Sequence, residues 1–462
     1  MFSSKIYIDR RNALKKQFNS GLLLFMGNAE APMNYPHNWY QFRQDGSFLY
    51  YWGIEQPDLA AVIDLDSGEE IIFGDELTVV DIVWMGQQAT IAEKATKAGV
   101  SLTKPFNALT ALLKNAVSRN RKIHYLPQYR ADKAIYLADC LGVNVKTIDE
   151  GASTELILAV AAQRIVKSEE EIVEIEKALN VSYDMHVAVM REMIPGKKEY
   201  ELKGMVEGIV ASSNAKIAFP IILSKNGQIL HNTTHFNTLK AGQIVVHDSG
   251  AVVESGYCSD ITRTVPVSGK FDSRQKDIYT IVLNSQQKAF EMSRPGIFQK
   301  DVHLAACKEI VSGLKDLGLV NGSVDDAMEA GVFGFFMQCG LGHLMGLDVH
   351  DLEGLGESYV GYDKTVQRST MFGLSSLRFG RQLQPGYVIT VEPGIYFIPA
   401  LFEMWKGEKT MADFINYNAV EKWLDFGGVR IEDDVVITEK GNKILGKHIP
   451  RSIDEVESIM AE

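Results

Sequence analysis

The sequence predicts two domains, an α/β domain over residues 1–165 and a larger domain of helices and strands over residues 166–462. Three observations carry this. A chain of 462 residues exceeds what one compact core usually holds. Apolar strand-like runs and amphipathic helical stretches alternate up to Leu141, the pattern of an α/β unit. At Ser168 the chain restarts with Glu169, Glu170 and Glu171, a capping box with Ser168 at the N-cap and Glu171 at N3.

In the first domain, residues 4–18 alternate basic and apolar positions with helical spacing, and Leu22–Met26 reads as a buried strand. Tyr35–Leu65 is dense in aromatics and contains a strand at Leu59–Ile63. A Ser67-Gly68 turn leads to its hairpin partner, Glu70–Phe73. A helix over Leu109–Val117, a strand over Ile123–Leu126 and a helix over Ala131–Leu141 complete the alternation. The aromatics read first as core, with an interface or a pocket wall as the alternative. No phosphate loop or dinucleotide fingerprint is present.

The boundary falls near Val160–Lys167. Ile172, Ile175 and Leu179 mark one face of a long helix that ends before Pro195-Gly196, and a second helix covers Glu199–Ser212. Further helices are expected over Ser273–Met292 and Gln299–Leu317. No internal repeat is obvious, although a hidden twofold pattern of two helices and a hairpin is compatible with these segments.

Composition narrows the function classes. Hydrophobic residues at 46% and charged residues at 23% are ordinary for a soluble globular protein. A net charge of −12 disfavours nucleic acid and anionic membranes as partners. No apolar run approaches the ~20 residues of a spanning helix, and MFSSKIYIDRR lacks a secretory apolar region. Cys140, Cys258, Cys307 and Cys339 show no CxxC spacing and read as reduced thiols, which points to a cytoplasmic protein.

The chemistry gathers around Gln243–Val267. The β-branched run Ile244–Val246 delivers His247, Asp248 and Ser249 to a break at Gly250. The chain returns through Ala251–Val253, turns near Ser255-Gly256 and reaches Asp260. Two aspartates beside apolar residues are costly if buried unpaired, and Arg263 is one charge for two acids. The pair reads as a divalent-metal site or, more blandly, as strand-end carboxylates facing water. Three later segments extend it. CGLGHLMGLDVHD, Cys339–Asp351, presents His343 and His350. In PGYVITVEPGIYF the strand Val388–Val391 carries Glu392 to a Pro393-Gly394 turn. In GGVRIEDDVVIT, period-two alternation places Arg430 and Glu432 on one strand face. Each of these alone is also read as structural. Asp248, Asp260, His343, Glu392 and Glu432 together require roughly two divalent cations to share one pocket. The donors favour Mn²⁺, Mg²⁺ or Co²⁺ over a thiolate-selecting metal, the expectation being two ions of Mn²⁺ with Zn²⁺ as a further alternative, and the implied chemistry is hydrolysis without a covalent intermediate. No GxSxG elbow competes.

These segments resemble the pita-bread metallopeptidases, and among them the proline-specific branch of prolidase (Xaa-Pro dipeptidase) and aminopeptidase P. The resemblance covers nearly the whole chain, including FRQDGSFLYYWG and WMG in the N-terminal part. It implies an α/β N-terminal domain plus an α+β pita-bread (creatinase/aminopeptidase-like) catalytic domain, acting on Xaa-Pro peptides as a homodimer. It further implies that Asp248 chelates one metal, that Asp260 and Glu432 bridge two, and that His343 and Glu392 complete the ligand set of the second metal. Glu392 would also exchange a proton with the attacking water. His231 and His350 match histidines that contact substrate and steady the tetrahedral intermediate, and Arg430 matches an arginine that orients carboxylate ligands. Residues 373–386, GLSSLRFGRQLQPG, resemble the prolidase segment before the glutamate ligand. Arg378 there matches an arginine that binds the free carboxylate of a dipeptide, which favours dipeptidase over aminopeptidase.

Two departures stand against this resemblance. Cys339 occupies the position where the family usually has His. The interval from Asp248 to Asp260 is one residue longer than the commonest family spacing, which calls for a bulge near Glu254-Ser255-Gly256. A binding module that has lost catalysis and a metal-independent creatinase-like hydrolase are the competing readings, and the intact ligand set disfavours both.

Overall fold

The computed structural model describes residues 2–462. The chain divides between Arg164 and Ile165 into two compact units, and residues 352–359 join the first of them.

The N-terminal unit is built on one mixed sheet. Its strands are β1 (Leu22–Met26), β2 (Ala60–Asp64), β3 (Glu70–Phe73), β4 (Leu102–Lys104) and β5 (Ile123–Tyr125), in the order β4-β3-β2-β1-β5. The β1–β2 and β2–β3 pairs are antiparallel, whereas β3–β4 and β1–β5 are parallel. Alternation along β1 divides its side chains between two cores. Leu22, Leu24 and Met26 pack with Leu109, Leu113, Leu137 and Ala138 of the helices Asn107–Ser118 and Ala131–Leu141. Phe25 meets Tyr51 and Trp52 of a short helix, Gly46–Trp52. That helix starts at Asp45, whose side chain accepts from Phe48 N, and it ends at Gly53 in the left-handed region. A side chain at Gly53 would run into the Tyr7 ring, 2.2 Å away, so glycine is needed twice over. The aromatic segment is thus split. Phe48, Tyr51 and Trp52 are core, while Tyr35, Trp39 and Tyr40 are exposed.

The second unit presents the same order of elements twice. The helix Glu169–Glu192 opens on the Ser168/Glu171 capping box, and the helix Ser273–Met292 opens on an Asp272/Gln275 box. Each is followed by a Pro-Gly turn, with Gly196 and Gly296 both at positive φ, and then by a second helix, Glu199–Ser212 or Gln299–Asp316. The remaining strands are β6 (Lys216–Ile217), β7 (Ile222–Ser224), β8 (Ile244–Ser249), β9 (Ala251–Val252), β10 (Ile261–Pro266), β11 (Val388–Val391), β12 (Gly394–Tyr396), β13 (Gly428–Arg430), β14 (Asp433–Ile437) and β15 (Asn442–Ile444). They form sheets ordered β10-β8-β7 and β11-β14-β15, with the smaller pairs β12-β13 and β6-β9. A bridge between Thr262 and Glu432 joins the strands that carry the two sets of acids.

The β8–β10 ladder decides which side chains face the site. Asp248 lies opposite Thr262 and His247 opposite Arg263. Asp260, two residues before Thr262, therefore shares the face of Asp248. The ladder continues to Val252↔Cys258 and closes over Glu254–Ser255–Gly256. Gly256 N donates to Val253 O at 2.8 Å, with Gly256 at φ 89°. This is a three-residue hairpin loop with its glycine at the left-handed bulge position, which takes up the long interval without turning Asp260 away.

Candidate active site

Asp248 leaves β8, Asp260 precedes β10, Glu392 follows β11 and Glu432 sits between β13 and β14, so strand ends supply every carboxylate. His343 is placed by the segment 341–345, which runs along β11. Thr390 N donates to His343 O at 3.0 Å, Glu392 N to Leu341 O at 2.7 Å and Met345 N to Val388 O at 3.0 Å. This close run requires glycine at 342, where a Cβ would stand 2.0 Å from Thr390 O.

Ligand atoms of Asp260, His343 and Glu432 lie within 4.8 Å of one another. His343 Nε2 is 3.5 Å from Asp260 Oδ2 and 3.6 Å from Glu392 Oε1. His343 Nδ1 is 3.0 Å from Leu344 O. A carbonyl only accepts, so Nδ1 carries a proton and Nε2 is the ring nitrogen that faces the carboxylates. Arg430 donates from Nη2 to Asp248 Oδ2, from Nε to Thr262 Oγ1 at 3.1 Å and from Nη1 to the Tyr396 hydroxyl at 3.0 Å. Thr262 Oγ1 in turn donates to Glu432 Oε2 at 2.6 Å. One guanidinium thus orients two of the acids, one directly and one through Thr262. Arg263 takes no part in neutralising the pair. It lies on the opposite face, fully buried, and donates to Asp433 Oδ1 and Glu432 O, each at 2.6 Å.

The electrostatics fit divalent cations. Burial first, then Asp248 and other neighbouring carboxylates, hold Asp260 well above the usual carboxylate range. Burial, then Asp260 and Glu392, do the same to Glu432. Asp248 Oδ1 and Asp260 Oδ1 are buried without a hydrogen-bond partner. Acids that cannot ionise together, with oxygens aimed into a shared space, are matched by hard cations. Arg430 alone is one positive charge against four carboxylates.

These groups line one cavity of about 420 Å³, which also takes in His231, His350 and Cys339. The rings of His343 and His350 lie 4.1 Å apart. Arg378 is half-buried and is not among the cavity-lining residues. Its segment nevertheless packs against the wall that bears Cys339. Ser376 Oγ donates to Gln338 O at 2.8 Å, and a Cβ at Gly340 would stand 2.9 Å from Leu377 Cα. Cys339 Sγ lies 3.9 Å from the Tyr396 hydroxyl, and burial followed by the Glu392 charge pushes its thiol up to about 12. It is a neutral thiol at working pH.

Sequence reasoning missed the apolar wall. Phe219, Pro220, Ile222, Leu230 and Val349 line the cavity beside the acids. Strand pairing shifts from Ile217↔Ala251 to Ile222↔Asp248, leaving four residues, 218–221, against two, 249–250. The two extra residues bow the chain at Phe219-Pro220. Thr262 was within reach of pattern reasoning, since it lies two positions from Asp260 on the same face. Asp434, which accepts from Asp260 N at 3.2 Å, carried no comparable signal.

Residues 173–439 match metallopeptidase family M24, and residues 7–125 match the aminopeptidase P N-terminal domain. The Xaa-Pro dipeptidase of Homo sapiens is 31% identical over 432 residues, covering 91% of this chain and 84% of that protein. A probable Xaa-Pro aminopeptidase of Fusarium vanettenii is 31% identical over 424 residues, covering 91% and 88%. Among solved structures, aminopeptidase PepP of Pseudomonas aeruginosa is 28% identical with a TM-score of 0.82, covering 100% of this chain and 98% of that one.

Proposed function

The chain belongs to metallopeptidase family M24, with an aminopeptidase P N-terminal domain and a pita-bread catalytic domain, and from that premise we propose that it hydrolyses the Xaa-Pro bond of dipeptides. The observation that carries the reading is the single cavity in which Asp248, Asp260, His343, Glu392 and Glu432 converge around unpartnered carboxylate oxygens. Domain limits of 1–165 and 166–462 belong to the same reading.

Two divalent ions, Mn²⁺ in this proposal, would be held by those five residues and would polarise the scissile carbonyl and acidify a water. Asp248, Asp260 and Glu432 would supply carboxylate oxygens to these ions, and His343 Nε2 and Glu392 would complete their ligand set. The chain supplies the rest. Glu392, the least buried of the acids with 18% of its side chain exposed, takes the proton of the attacking water and returns it to the departing proline nitrogen. His231 and His350 donate to the oxygen on which negative charge develops. Arg430 holds Asp248 and, through Thr262, Glu432. Arg378 pairs with the carboxylate of a dipeptide.

The role of the histidines has a direct test. Replacing His231 or His350 with Ala is expected to lower kcat by ~10²–10³ while metal content stays at the wild-type level. Stoichiometric metal loss in His350→Ala would make that residue a ligand instead.

The assembly proposed is a homodimer in a reducing, cytoplasmic setting. Cys140, Cys258, Cys307 and Cys339 form no disulfide, which supports the setting. The helix Val79–Met85 buries none of its residues and leaves Val83 75% and Trp84 83% exposed, which supports a partner copy. Sedimentation of the wild-type protein as a monomer at micromolar concentration would refute the dimer. The activity itself is tested by metal-dependent hydrolysis of Ala-Pro beside Ala-Pro-Ala, with the dipeptide expected to be the far better substrate. Equal rates would favour an aminopeptidase.

A further inference from the structure

His231 stands on an irregular segment, residues 225–237, whose two ends are hydrogen-bonded to a carboxylate that does not line the cavity. Glu199 opens the helix Glu199–Ser212 and is fully buried. Its oxygens accept four hydrogen bonds. Oε1 takes Ser224 Oγ at 3.1 Å and Lys225 N at 2.9 Å, and Oε2 takes Asn237 N at 3.2 Å and Asn237 Nδ2 at 2.9 Å. All four donors are uncharged, and none is an N–H of its own helix. The two oxygens instead grip the two ends of the segment. A carboxylate that merely capped the helix would bond to N–H groups of the first turn.

The grip extends inward. Ser224 Oγ accepts from Asn232 Nδ2 at 3.0 Å, and Asn232 Oδ1 accepts from Thr234 N at 3.1 Å and Thr234 Oγ1 at 2.8 Å. Asn232 is buried, while its neighbours His231 and Thr233 are exposed and line the cavity. The chain Glu199–Ser224–Asn232 therefore sets the backbone immediately beside the His231 ring.

We propose that Glu199 is a positioning residue of the hydrolytic reaction, setting His231 over the cavity through Ser224 and Asn232. The proposal rests on the reading of His231 as a donor to the developing charge. Glu199 is suited to this because only an ionised carboxylate accepts at both oxygens without presenting a hydrogen. Glutamine fills the same space but turns an amide NH₂ toward either Lys225 N or Asn237 N, and a backbone donor cannot rotate away.

The test uses the full-length, Mn²⁺-loaded protein. In Glu199→Gln, kcat on Ala-Pro is expected to fall ~10²-fold, as a misplaced catalytic group predicts, with KM changed less than ~3-fold and metal content unaltered. Amide hydrogen exchange across 225–237 should rise, with the strand 244–249 as an unchanged control. In the His231→Ala background the same substitution should cost less than ~3-fold, because its effect runs through the missing ring. Asn232→Ala should show the same non-additivity and serves if Glu199→Gln does not fold. Equal losses in both backgrounds, loss of metal, or wild-type exchange across the segment would overturn the proposal while leaving the role of His231 intact. Wild-type turnover in His231→Ala would overturn the assignment on which it rests.

Discussion

Proteins carrying Asp248→Ala or Glu432→Ala are expected to fold and to hydrolyse Xaa-Pro peptides at least ~10³-fold more slowly than the wild type at saturating Mn²⁺. The loss follows from geometry. Both acids are buried in the cavity, each is oriented by a hydrogen bond, and among the described residues the other carboxylates lining it, Asp260 and Glu392, belong to the same cluster. The stability effect separates this account from a purely structural one. Burial and mutual repulsion raise Asp260 and Glu432 above their unfolded values. Such groups contribute stability that is full below the unfolded carboxylate range, near 4, and lost as pH rises through the folded values. At neutral pH the metal-free cluster is therefore strained, and removing Glu432 should leave the Tm of the metal-free protein unchanged or higher. Added Mn²⁺ should raise the wild-type Tm, with about 2.7 kcal/mol gained at a hundredfold excess over Kd, and should raise that of Glu432→Ala much less. Near-normal turnover in either variant contradicts the two-metal assignment. A large Tm loss in the metal-free Glu432→Ala protein contradicts the electrostatic argument.

The second large effect concerns substrate length. A dipeptide ends in a carboxylate directly after proline, and a guanidinium pairs with that group through two parallel hydrogen bonds. A tripeptide presents a neutral amide at the same place and forms no such ion pair. The expected discrimination is ~2–5 kcal/mol where the site is desolvated, from tens to several thousandfold in kcat/KM. Arg378 lies one residue beyond Leu377, on which Gly340 and the Cys339 wall rest. Arg378→Ala should therefore depress Ala-Pro hydrolysis by most of that factor and barely change the residual rate on Ala-Pro-Ala. An equal loss on both substrates would transfer the protein to the aminopeptidase reading, which the Fusarium relative's name and the PepP structure share.

Legibility in the sequence tracked how local each signal was. The Ser168 capping box, the run Ile244–Val246 and the strand Val388–Val391 lie where short-range pattern places them, because capping and β-branched packing act over a few residues. The acids at strand ends were conspicuous because charge beside a fully apolar strand has few structural uses. Register was not legible. Only the observed ladder shows that Asp248 and Asp260 share a face, and only the shift in pairing explains why Phe219-Pro220 enters the cavity. Arg263, one charge for two acids in the sequence, neutralises neither of them, because alternation sends it to the face of His247. In the N-terminal unit the aromatic run concealed the helix Gly46–Trp52, since its residue types favour strands and the caps at Asp45 and Gly53 are single positions. Glu199 and Asp434 act through partners distant in sequence, and nothing near them announces it.

The most direct test of the two-metal hydrolysis is a titration of activity. Protein stripped by a chelator, with metal content verified by mass spectrometry, is supplied with Mn²⁺ in steps, and Ala-Pro hydrolysis is measured at each step. Activity should be absent without metal and should level off at two ions per chain, with Glu432→Ala inactive throughout. Full hydrolysis in the stripped protein, or a plateau at one ion, would contradict the paired-metal site.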